Sequence, residues 1–334
     1  MLTRRDALRL SLGTVGAGLL AGLTGCGSER ERPSATSGGS NGSSALKIVA
    51  GGSDVGIAAL MIPALQRAAE ENGATVEFRA MAQSTAQIAM LNGDIDMGFM
   101  SFLNLSAAAE QNKEVVGVAP SWASHTSLLV RKDSPYQSVE DLRGKRIGTL
   151  KRTVSVYTES FAVFKDQGYE FEKDFKVVVV DSGGLLEGLL MQNEVDAVTN
   201  YEPNVARMLH EGSARELFQV AEYWADQGHG VAPAQNWAVR RQFAEENDLK
   251  RIQGIALRAS EIARTDRSLY AAASEGVNIS DEKGLDLLFE RFSKLVLPSY
   301  TAENLKAAQT ELDTAAEAGL TGQKHDINDL VVQA

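Results

Sequence analysis

Short apolar runs alternate with helix-length segments along most of this chain, and that alternation is what most limits the folds open to it. An apolar run at 46–50 is followed by an amphipathic segment at 56–71, and the same order recurs as far as His210. Strands that alternate with helices of about 10–15 residues favour parallel sheets in an α/β fold. After 237–239 the chain becomes mostly helical to about Ala318. Strands are predicted at 46–50, 75–79, 95–100, 115–119, 127–131, 145–150, 175–181 and 195–200, and helices at 56–71, 85–91, 154–167, 185–192 and 203–210.

One short pattern occurs twice. Residues 91–97 read LNGDIDM and residues 191–197 read MQNEVDA, and each copy ends a helix and enters a strand through an aspartate. Because each copy has the same place in its own α/β unit, the repeat predicts two similar lobes. For Asp96 and Asp196 we predict a structural role, since a carboxylate at a strand entry can accept backbone N–H bonds.

The first 26 residues have the layout of an export signal. Arg4 and Arg5 precede an apolar, glycine-rich run that is too short for a membrane span, and small residues then lead to Cys26. The run Leu-Thr-Gly-Cys resembles the bacterial lipoprotein box, and the paired arginines resemble the twin-arginine signal. Residues 1–25 are therefore predicted to be a signal peptide, and Cys26 to be lipidated and to anchor an exported protein to the outer face of the membrane; the export route, general secretory or twin-arginine, stays open.

Composition limits what the rest of the chain can be. Residues 26–44 are rich in Gly and Ser and predict a flexible linker. The remaining 290 or so residues exceed the usual size of a single core, which favours two domains. The net charge is −11, and near −13 without the leader, which argues against nucleic acid as a partner. Cys26 is the only cysteine, so no intramolecular disulfide can form.

A run of about 120 residues resembles a known family. The matching pieces are 91–96, then 128–134, then 139–148 with its Asp-Leu-Arg-Gly-Lys run, and finally 195–197 followed by 202–203. They are similar in order and spacing to the periplasmic binding proteins that serve ABC importers of aliphatic sulfonates, taurine, nitrate and thiamine-precursor pyrimidines. The resemblance implies a type II periplasmic-binding-protein fold, in which two α/β lobes are joined by two crossing strands with a ligand cleft between them. It places lobe 1 at 45–124 plus 236–334 and lobe 2 at 125–235.

Candidate ligand contacts follow from the edge of the sheets. In open parallel α/β sheets ligands bind beyond the carboxyl ends of the strands, where helix N-termini point. Six loops occupy such places, at 51–54, 81–84, 100–101, 150–155, 181–184 and 199–202. Together with two tryptophans near the crossings, they supply the predicted ligand-binding residues: Gly52, Ser53, Asp54, Gln83, Ser84, Ser101, Trp122, Arg152, Thr153, Ser155, Asp181, Ser182, Asn200, Glu202 and Trp237.

The charges in these loops leave the sign of the ligand open. Arg152, Thr153 and Ser155 lie at the start of a predicted helix and favour an oxyanion. Asp54 and Glu202 favour an amine or a ring N–H instead. The tryptophans can stack on a ligand or pack the hinge. The four histidines show no metal-ligand spacing, so neither a metal nor a cofactor is expected.

The resemblance therefore implies the solute-binding component of an ABC importer. We expect a monomer that captures a small polar solute, such as a sulfonate, taurine, nitrate or a similar oxyanion, closes its lobes and delivers the solute to permease subunits. A pyrimidine-like or other heteroaromatic nutrient is the alternative ligand. A thiamine-pyrimidine-synthase-like enzyme is disfavoured because those enzymes carry a cysteine cluster, and a sensor that presents ligand to a signalling partner stays open.

Overall fold

Two five-stranded sheets form the framework of the protein. The computed structural model describes residues 46–152, 154–276, 278–279, 281–317, 319, 322 and 324–332. The first sheet has the order β2-β1-β3-β10-β4 and the second the order β7-β6-β8-β5-β9. Its strands are β1 (Lys47–Gly52), β2 (Thr75–Ala80), β3 (Met97–Met100), β4 (Val115–Ala123), β5 (Thr126–Arg131), β6 (Arg146–Leu150), β7 (Lys176–Val180), β8 (Ala197–Tyr201), β9 (Ala214–Gln219) and β10 (Pro233–Arg240).

The two sheets share one plan. In each sheet, one strand (β1 in the first, β6 in the second) lies between two neighbours that run parallel to it. Each sheet also contains one strand that comes from the other sheet and pairs antiparallel with both of its neighbours. That strand is β5 in the second sheet and β10 in the first. We call the first sheet with its helices the first lobe and the second sheet with its helices the second lobe. The predicted fold, two α/β lobes joined by two crossings, is confirmed.

Helices connect the strands and cover the sheets. They are α1 (Ala58–Glu71), α2 (Gln83–Asn92), α3 (Phe102–Glu110), α4 (Ser155–Asp166), α5 (Phe171–Asp174), α6 (Gly183–Met191), α7 (Asn204–His210), α8 (Val220–Asp226), α9 (Arg241–Glu246), α10 (Leu249–Thr265), α11 (Tyr270–Glu275), α12 (Glu282–Ser293) and α13 (Ala302–Glu317). The predicted helical character after 237–239 is thereby confirmed. Helix α3, the short helix α5, strand β9 and helix α8 were not predicted.

Amphipathic spacing explains why the long helices dock where they do. Helix α10 starts at the side-chain cap of Asp248 and buries residues at positions three, four and seven apart, including Ile252, Ile255 and Ala259. That stripe packs against the alanine-rich α1. The core of the first lobe is centred on aromatic rings, with Phe99 lying 4.5 Å from Trp237 between ring centroids.

The two aspartates of the repeated pattern do what was predicted of them. Asp96 accepts a hydrogen bond from the backbone N of Val49 at 2.9 Å, and Asp196 accepts one from the backbone N of Arg146, also at 2.9 Å. Each carboxylate thus fixes the start of one parallel strand beside its neighbour. The Arg146 side chain adds a second bond at 3.0 Å, and Arg240 does the same for Asp96 at 2.5 Å.

Two helices touch both lobes. Helix α12 packs on α10 and α11 of the first lobe and on α7 of the second, while α13 packs on α3 and β10 of the first lobe and on α4 of the second. The chain leaves the first sheet between Ala123 and Thr126, at the predicted boundary 124/125, and re-enters it at Pro233. The other predicted boundary, 235/236, lies within β10, and the division into these two domains stays a prediction.

Candidate functional site

All six predicted loops lie between the carboxyl end of a strand and the start of a helix. In the first lobe they follow β1, β2 and β3, and in the second lobe they follow β6, β7 and β8. This is the edge at which backbone N–H groups at helix starts are free to meet a ligand. The predicted signal peptide 1–25, the linker 26–44 with Cys26, and Thr153 lie outside the described residues.

The structure brings two of the predicted residues to one cavity between the lobes. A small cavity of about 40 Å³ is lined by Ser101 of the first lobe and Ser155 of the second, and Pro233 and Ala234 of the returning strand close it. Ser101 is 8 % exposed and caps α3, with its Oγ accepting from the N of Asn104 at 3.2 Å. Ser155 is the first residue of α4. Two helix N-termini, one from each lobe, therefore meet at this cavity.

A buried carboxylate lies beside these serines. Glu159 of α4 lines the same cavity, and its Oε2 accepts from the hydroxyls of Ser124 at 2.5 Å and Thr126 at 2.6 Å. Burial raises the pKa of Glu159, against the lowering effect of these two hydroxyl donors. Since Ser124 and Thr126 flank the first crossing, Glu159 ties α4 to the hinge. The backbone O of Ser124 also accepts from Gln219 at 2.6 Å.

A second carboxylate reaches this place from the other lobe. Glu311 of α13 lines the small cavity and also a neighbouring cavity of about 370 Å³. Burial, together with the charge of Glu159, raises the pKa of Glu311 to about 8. The larger cavity lies between α4 and α8 of the second lobe and α13; its lining residues include Trp224, His229 and Thr310.

An ion cluster joins the lobes near α12. Arg291 donates to Glu202 at 2.5 Å and to Glu216 at 2.7 Å, and both carboxylates belong to the second lobe. Glu202 is 1 % exposed, and burial raises its pKa even though Arg291 opposes that shift. His210 and Asp281 make a second contact across the junction at 2.7 Å. Glu202, a predicted ligand residue, is thus engaged by the protein itself.

Other predicted residues of the first lobe lie in the loops after β1 and β2. Gly52 is buried at the end of β1, Ser53 Oγ accepts from the N of Val55 at 3.2 Å, and Asp54 is exposed. Gln83 donates to the backbone O of Phe99 at 2.8 Å, and Ser84 is exposed. None of these residues lines the two cavities described above, and their ligand contacts stay predictions.

The predicted cations of the second lobe have partners on the protein. Arg152 donates from Nε to Glu172 at 2.9 Å and forms a second bond to the same carboxylate from Nη2. Lys151 pairs with the exposed Asp181 at 2.7 Å. Both pairs lie on the surface, where such contacts are weak and can exchange. Nearby, Ser182 is exposed, and Asn200 is buried and donates to the backbone O of Gly183 at 3.0 Å.

The two predicted tryptophans have different surroundings. Trp237 is fully buried, and its indole N–H donates to Ser260 at 3.0 Å, so it packs in the first-lobe core. Trp122 is 5 % exposed and its indole nitrogen has no acceptor among the described residues. It lies 6.2 Å from His125 between ring centroids. Burial lowers the pKa of His125 to about 4, so this imidazole at the first crossing is neutral at pH 7.

Glu159 and Glu311 were missed by sequence reasoning. Glu159 could have been found, because it lies four residues after Ser155 and therefore on the same helix face. No sequence signal identifies Glu311, since its place depends on how α13 packs across the lobe junction. Within the part of the chain that the structure describes, no group of three or more His, Cys, Asp or Glu side chains could hold a metal ion. No helix among those residues is both long and apolar enough to cross a membrane.

Comparison with known proteins finds matches that cover most of the chain. The sequence model described as "ABC transporter, phosphonate, periplasmic substrate-binding protein" matches residues 53–283. A search of curated proteins found no match. Among solved structures, the periplasmic aliphatic sulphonate binding protein SsuA from Escherichia coli is 19% identical with a TM-score of 0.71, over 87% of this chain and 93% of that one.

Two further solved structures have the same fold. The alkanesulfonate-binding protein SsuA from Xanthomonas axonopodis pv. citri, bound to MOPS, is 18% identical with a TM-score of 0.66, over 86% of this chain and 98% of that one. A putative sulfonate-binding SsuA from Methylobacillus flagellatus is 19% identical with a TM-score of 0.66, over 87% and 92% of the two chains.

Proposed function

The chain belongs to the periplasmic phosphonate-binding proteins of ABC transporters, and from that premise we propose that it captures a small oxyanionic solute between its lobes. Membership of this family makes it an exported substrate-binding component that serves an ABC permease. The proposed solute carries a phosphonate, sulfonate or similar oxyanion. Its capture forms and breaks no covalent bond, and affinity comes from pre-placed donors and lobe closure.

The observation that carries this proposal is the meeting of Ser101 and Ser155 at one cavity. Each serine lies at the N-terminal end of a helix of nine residues or more, and the two helices belong to opposite lobes. Unsatisfied backbone N–H groups and the positive end of the helix dipole favour anionic oxygens at such places. An oxyanion bound there bridges the lobes and stabilises the closed arrangement.

A thermal-shift titration tests the solute class. Purified full-length protein is titrated with phosphonates, sulfonates, taurine, nitrate and pyrimidines. A bound ligand at a hundredfold excess over its dissociation constant adds about 2.7 kcal/mol to the free energy of unfolding. We expect phosphonates or sulfonates to stabilise the protein. Stabilisation by pyrimidines alone would contradict the oxyanion proposal and support the heteroaromatic alternative.

Ser155→Ala and Ser101→Ala probe the site itself. Each removes one hydroxyl at a helix start, so we expect solute affinity to fall about tenfold to a hundredfold, as for the loss of one hydrogen bond to a charged group. Ser299→Ala is the matched control, because Ser299 is exposed and does not line the cavity. If all three variants bind the solute with the same affinity, the two serines do not contact it.

The anchoring of the protein is a separate proposal. The leader 1–25 is removed, lipidated Cys26 attaches to the outer face of the membrane, and the linker 26–44 places a monomeric body beside the permease. Cys26→Ala should move the protein from the membrane fraction to the soluble fraction. Membrane retention of this variant after a high-salt wash would contradict the anchor.

A further inference from the structure

The first crossing, residues 124–126, is tied to the second lobe by one carboxylate. The hydroxyls of Ser124 and Thr126 donate to Oε2 of Glu159 on α4, at 2.5 and 2.6 Å. All three residues are buried, with 4 %, 0 % and 6 % of their surface exposed. Water competes little for hydrogen bonds in such a place, which makes them strong. Glu159 therefore holds two residues of the crossing at once.

Backbone contacts hold the same segment on the second lobe. The carbonyl O of Ser124 accepts from the side chain of Gln219 at 2.6 Å, and the carbonyl O of His125 accepts from the N of Glu202 at 3.2 Å. Gln219 also caps the start of α8. Segment 124–126 thus has partners on three parts of the second lobe: α4, α8 and the loop after β8.

The residue just before this segment belongs to the first lobe. Ala123 is the last residue of β4 and pairs with Pro233 of β10. Its N donates to the carbonyl O of Leu295 at 2.8 Å, in a segment that makes an isolated bridge to β4. The contacts of the two lobes therefore change over at the peptide bond between Ala123 and Ser124.

Glu159 also lies close to the capture residue of its own lobe. Ser155 is the first residue of α4, and Glu159 follows four residues later, on the same face of the helix. Both line the 40 Å³ cavity in which Ser155 meets Ser101 of the first lobe. The start of α4 is thus attached to the crossing through Glu159, and the direction in which Ser155 faces Ser101 depends on that contact.

We propose that Glu159 is a positioning residue for solute capture: with its two hydroxyl donors it forms a clamp that holds segment 124–126 on α4. The crossing then turns with the second lobe and bends at the Ala123–Ser124 bond. The inference rests on the proposed capture function and adds how closure brings the two serines together. Without the clamp, α4 and the crossing move independently, and a smaller fraction of the molecules has the serines in the binding arrangement. The apparent dissociation constant rises as that fraction falls, with no contact between Glu159 and the solute.

Isothermal titration of the purified full-length protein with ethanesulfonate and with ethylphosphonate tests the positioning role. Glu159→Ala removes the acceptor, so we expect affinity to fall about tenfold, as for a binding arrangement kept by roughly a tenth of the molecules. Glu159→Gln keeps an amide oxygen that accepts from both hydroxyls, so we expect it to bind like the wild type. Ser160→Ala is the matched control, because Ser160 is the next residue of α4, is buried, and donates within the helix to the carbonyl O of Val156 at 2.6 Å.

Distances between the lobes give a readout that needs no solute. Spin labels are attached at two exposed positions, Glu70→Cys on α1 and Lys176→Cys on β7, in a chain whose only native cysteine is replaced by Cys26→Ser. Pulsed electron paramagnetic resonance then measures the distribution of distances between the labels. We expect a broader distribution in Glu159→Ala than in the wild type, and no change in Glu159→Gln or Ser160→Ala. A loss of stability alone does not broaden the distribution among folded molecules.

A second variant reaches the clamp from the crossing, in case Glu159→Ala does not fold. Ser124→Ala combined with Thr126→Val removes both donors and leaves Glu159 in place. Valine keeps the shape of the threonine side chain. We expect the same fall in affinity and the same broadening of the distances as for Glu159→Ala.

The outcomes separate the clamp from the function beneath it. If Glu159→Ala binds both probes as tightly as the wild type, or binds them weakly with an unchanged distance distribution, the positioning role is wrong and oxyanion capture stands. If Glu159→Gln is as weak as Glu159→Ala, the charge of Glu159 matters and not its two hydrogen bonds, which also overturns the positioning role. If neither probe binds the wild type, oxyanion capture is wrong and the distances decide on the clamp: broadening confined to Glu159→Ala supports it, and equal distributions overturn it.

Discussion

Arg291 is the side chain whose removal tests the electrostatics of the lobe junction most directly. Its guanidinium donates to Glu202 at 2.5 Å and to Glu216 at 2.7 and 3.2 Å. Arg291→Met keeps most of the side-chain volume but leaves the 1 %-exposed Glu202 carboxylate without its cation. Breaking a buried pair in this way lowers the free energy of unfolding by about 3–5 kcal/mol. We expect about 3 kcal/mol, because Arg291 is itself 18 % exposed and Glu202 keeps a bond from the N of Ala206 at 2.9 Å.

The effect should depend on pH with a definite sign. Burial holds the pKa of Glu202 above its ordinary value even beside Arg291, and loss of Arg291 raises that pKa further. A carboxyl group whose pKa is higher in the folded state binds more protons there, so the free energy of unfolding falls as the pH rises above the unfolded value of about 4.5. The loss caused by Arg291→Met should therefore be smaller at pH 5 than at pH 8.

Urea unfolding followed by circular dichroism measures the loss of stability and its pH dependence, and a thermal melt gives the corresponding change in Tm. A loss of about 3 kcal/mol corresponds to a fall in Tm of about 6 °C or more for a protein of this size. The control is Arg267→Met, whose guanidinium pairs with Glu282 at 2.5 Å and Asp286 at 2.6 Å on the surface; we expect it to lose less than about 1 kcal/mol. Equal losses in the two variants, or a loss for Arg291→Met that does not shrink at pH 5, would refute the reasoning.

Three further predictions follow from single side chains. Asp196→Asn should lower the free energy of unfolding by about 1–2 kcal/mol at pH 7. Burial raises the pKa of Asp196, but the bonds from Arg146 outweigh this effect and keep that pKa below its usual range. In urea titrations, the difference in stability between Asp196→Asn and the wild type should therefore shrink as the pH falls below about 3.8. Glu311→Gln should be more stable than the wild type, by a margin that grows as the pH rises towards about 8 and is constant above it; Glu317→Gln should show no such rise in thermal melts from pH 6 to pH 10. If Trp122 contacts the solute as predicted, the solute-induced change in intrinsic fluorescence should be smaller in Trp122→Phe than in the wild type, and an unchanged signal would exclude that contact.

Much of the fold could be predicted from the sequence because local signals agree with it. Apolar runs and their spacing located eight of the strands, and the repeated pattern around Asp96 and Asp196 predicted two similar lobes. The elements that were missed have weak local signals. Strand β9 (Ala214–Gln219) pairs only with β5 at the sheet edge, so it carries charges such as Arg215 and Glu216 that hide its alternation. Helix α3 has three consecutive alanines in its second half, which weakens its amphipathic pattern.

The site could be predicted only in part, for a different physical reason. The rule that ligands bind at the carboxyl ends of parallel strands acts locally, and it placed all six loops correctly with respect to the strands and helices. What a loop residue touches depends on long-range packing. Arg152 meets Glu172, twenty residues later, and Glu202 meets Arg291, 89 residues later. The partner of a cation or carboxylate in such a loop therefore cannot be predicted from the local sequence.

The charges at the lobe junction fall into two groups, which differ in whether a buried carboxylate has a cation of the protein as its partner. On the α12 side, Glu202 is buried and has its own arginine, so this contact stabilises the protein with or without a solute. On the α13 side, Glu159 and Glu311 line one cavity and have no cation partner among the described residues, so their charges lower the stability of the protein. Arg291→Met should weaken the fold and Glu311→Gln should strengthen it, and this difference separates the paired charges of the junction from the unpaired ones.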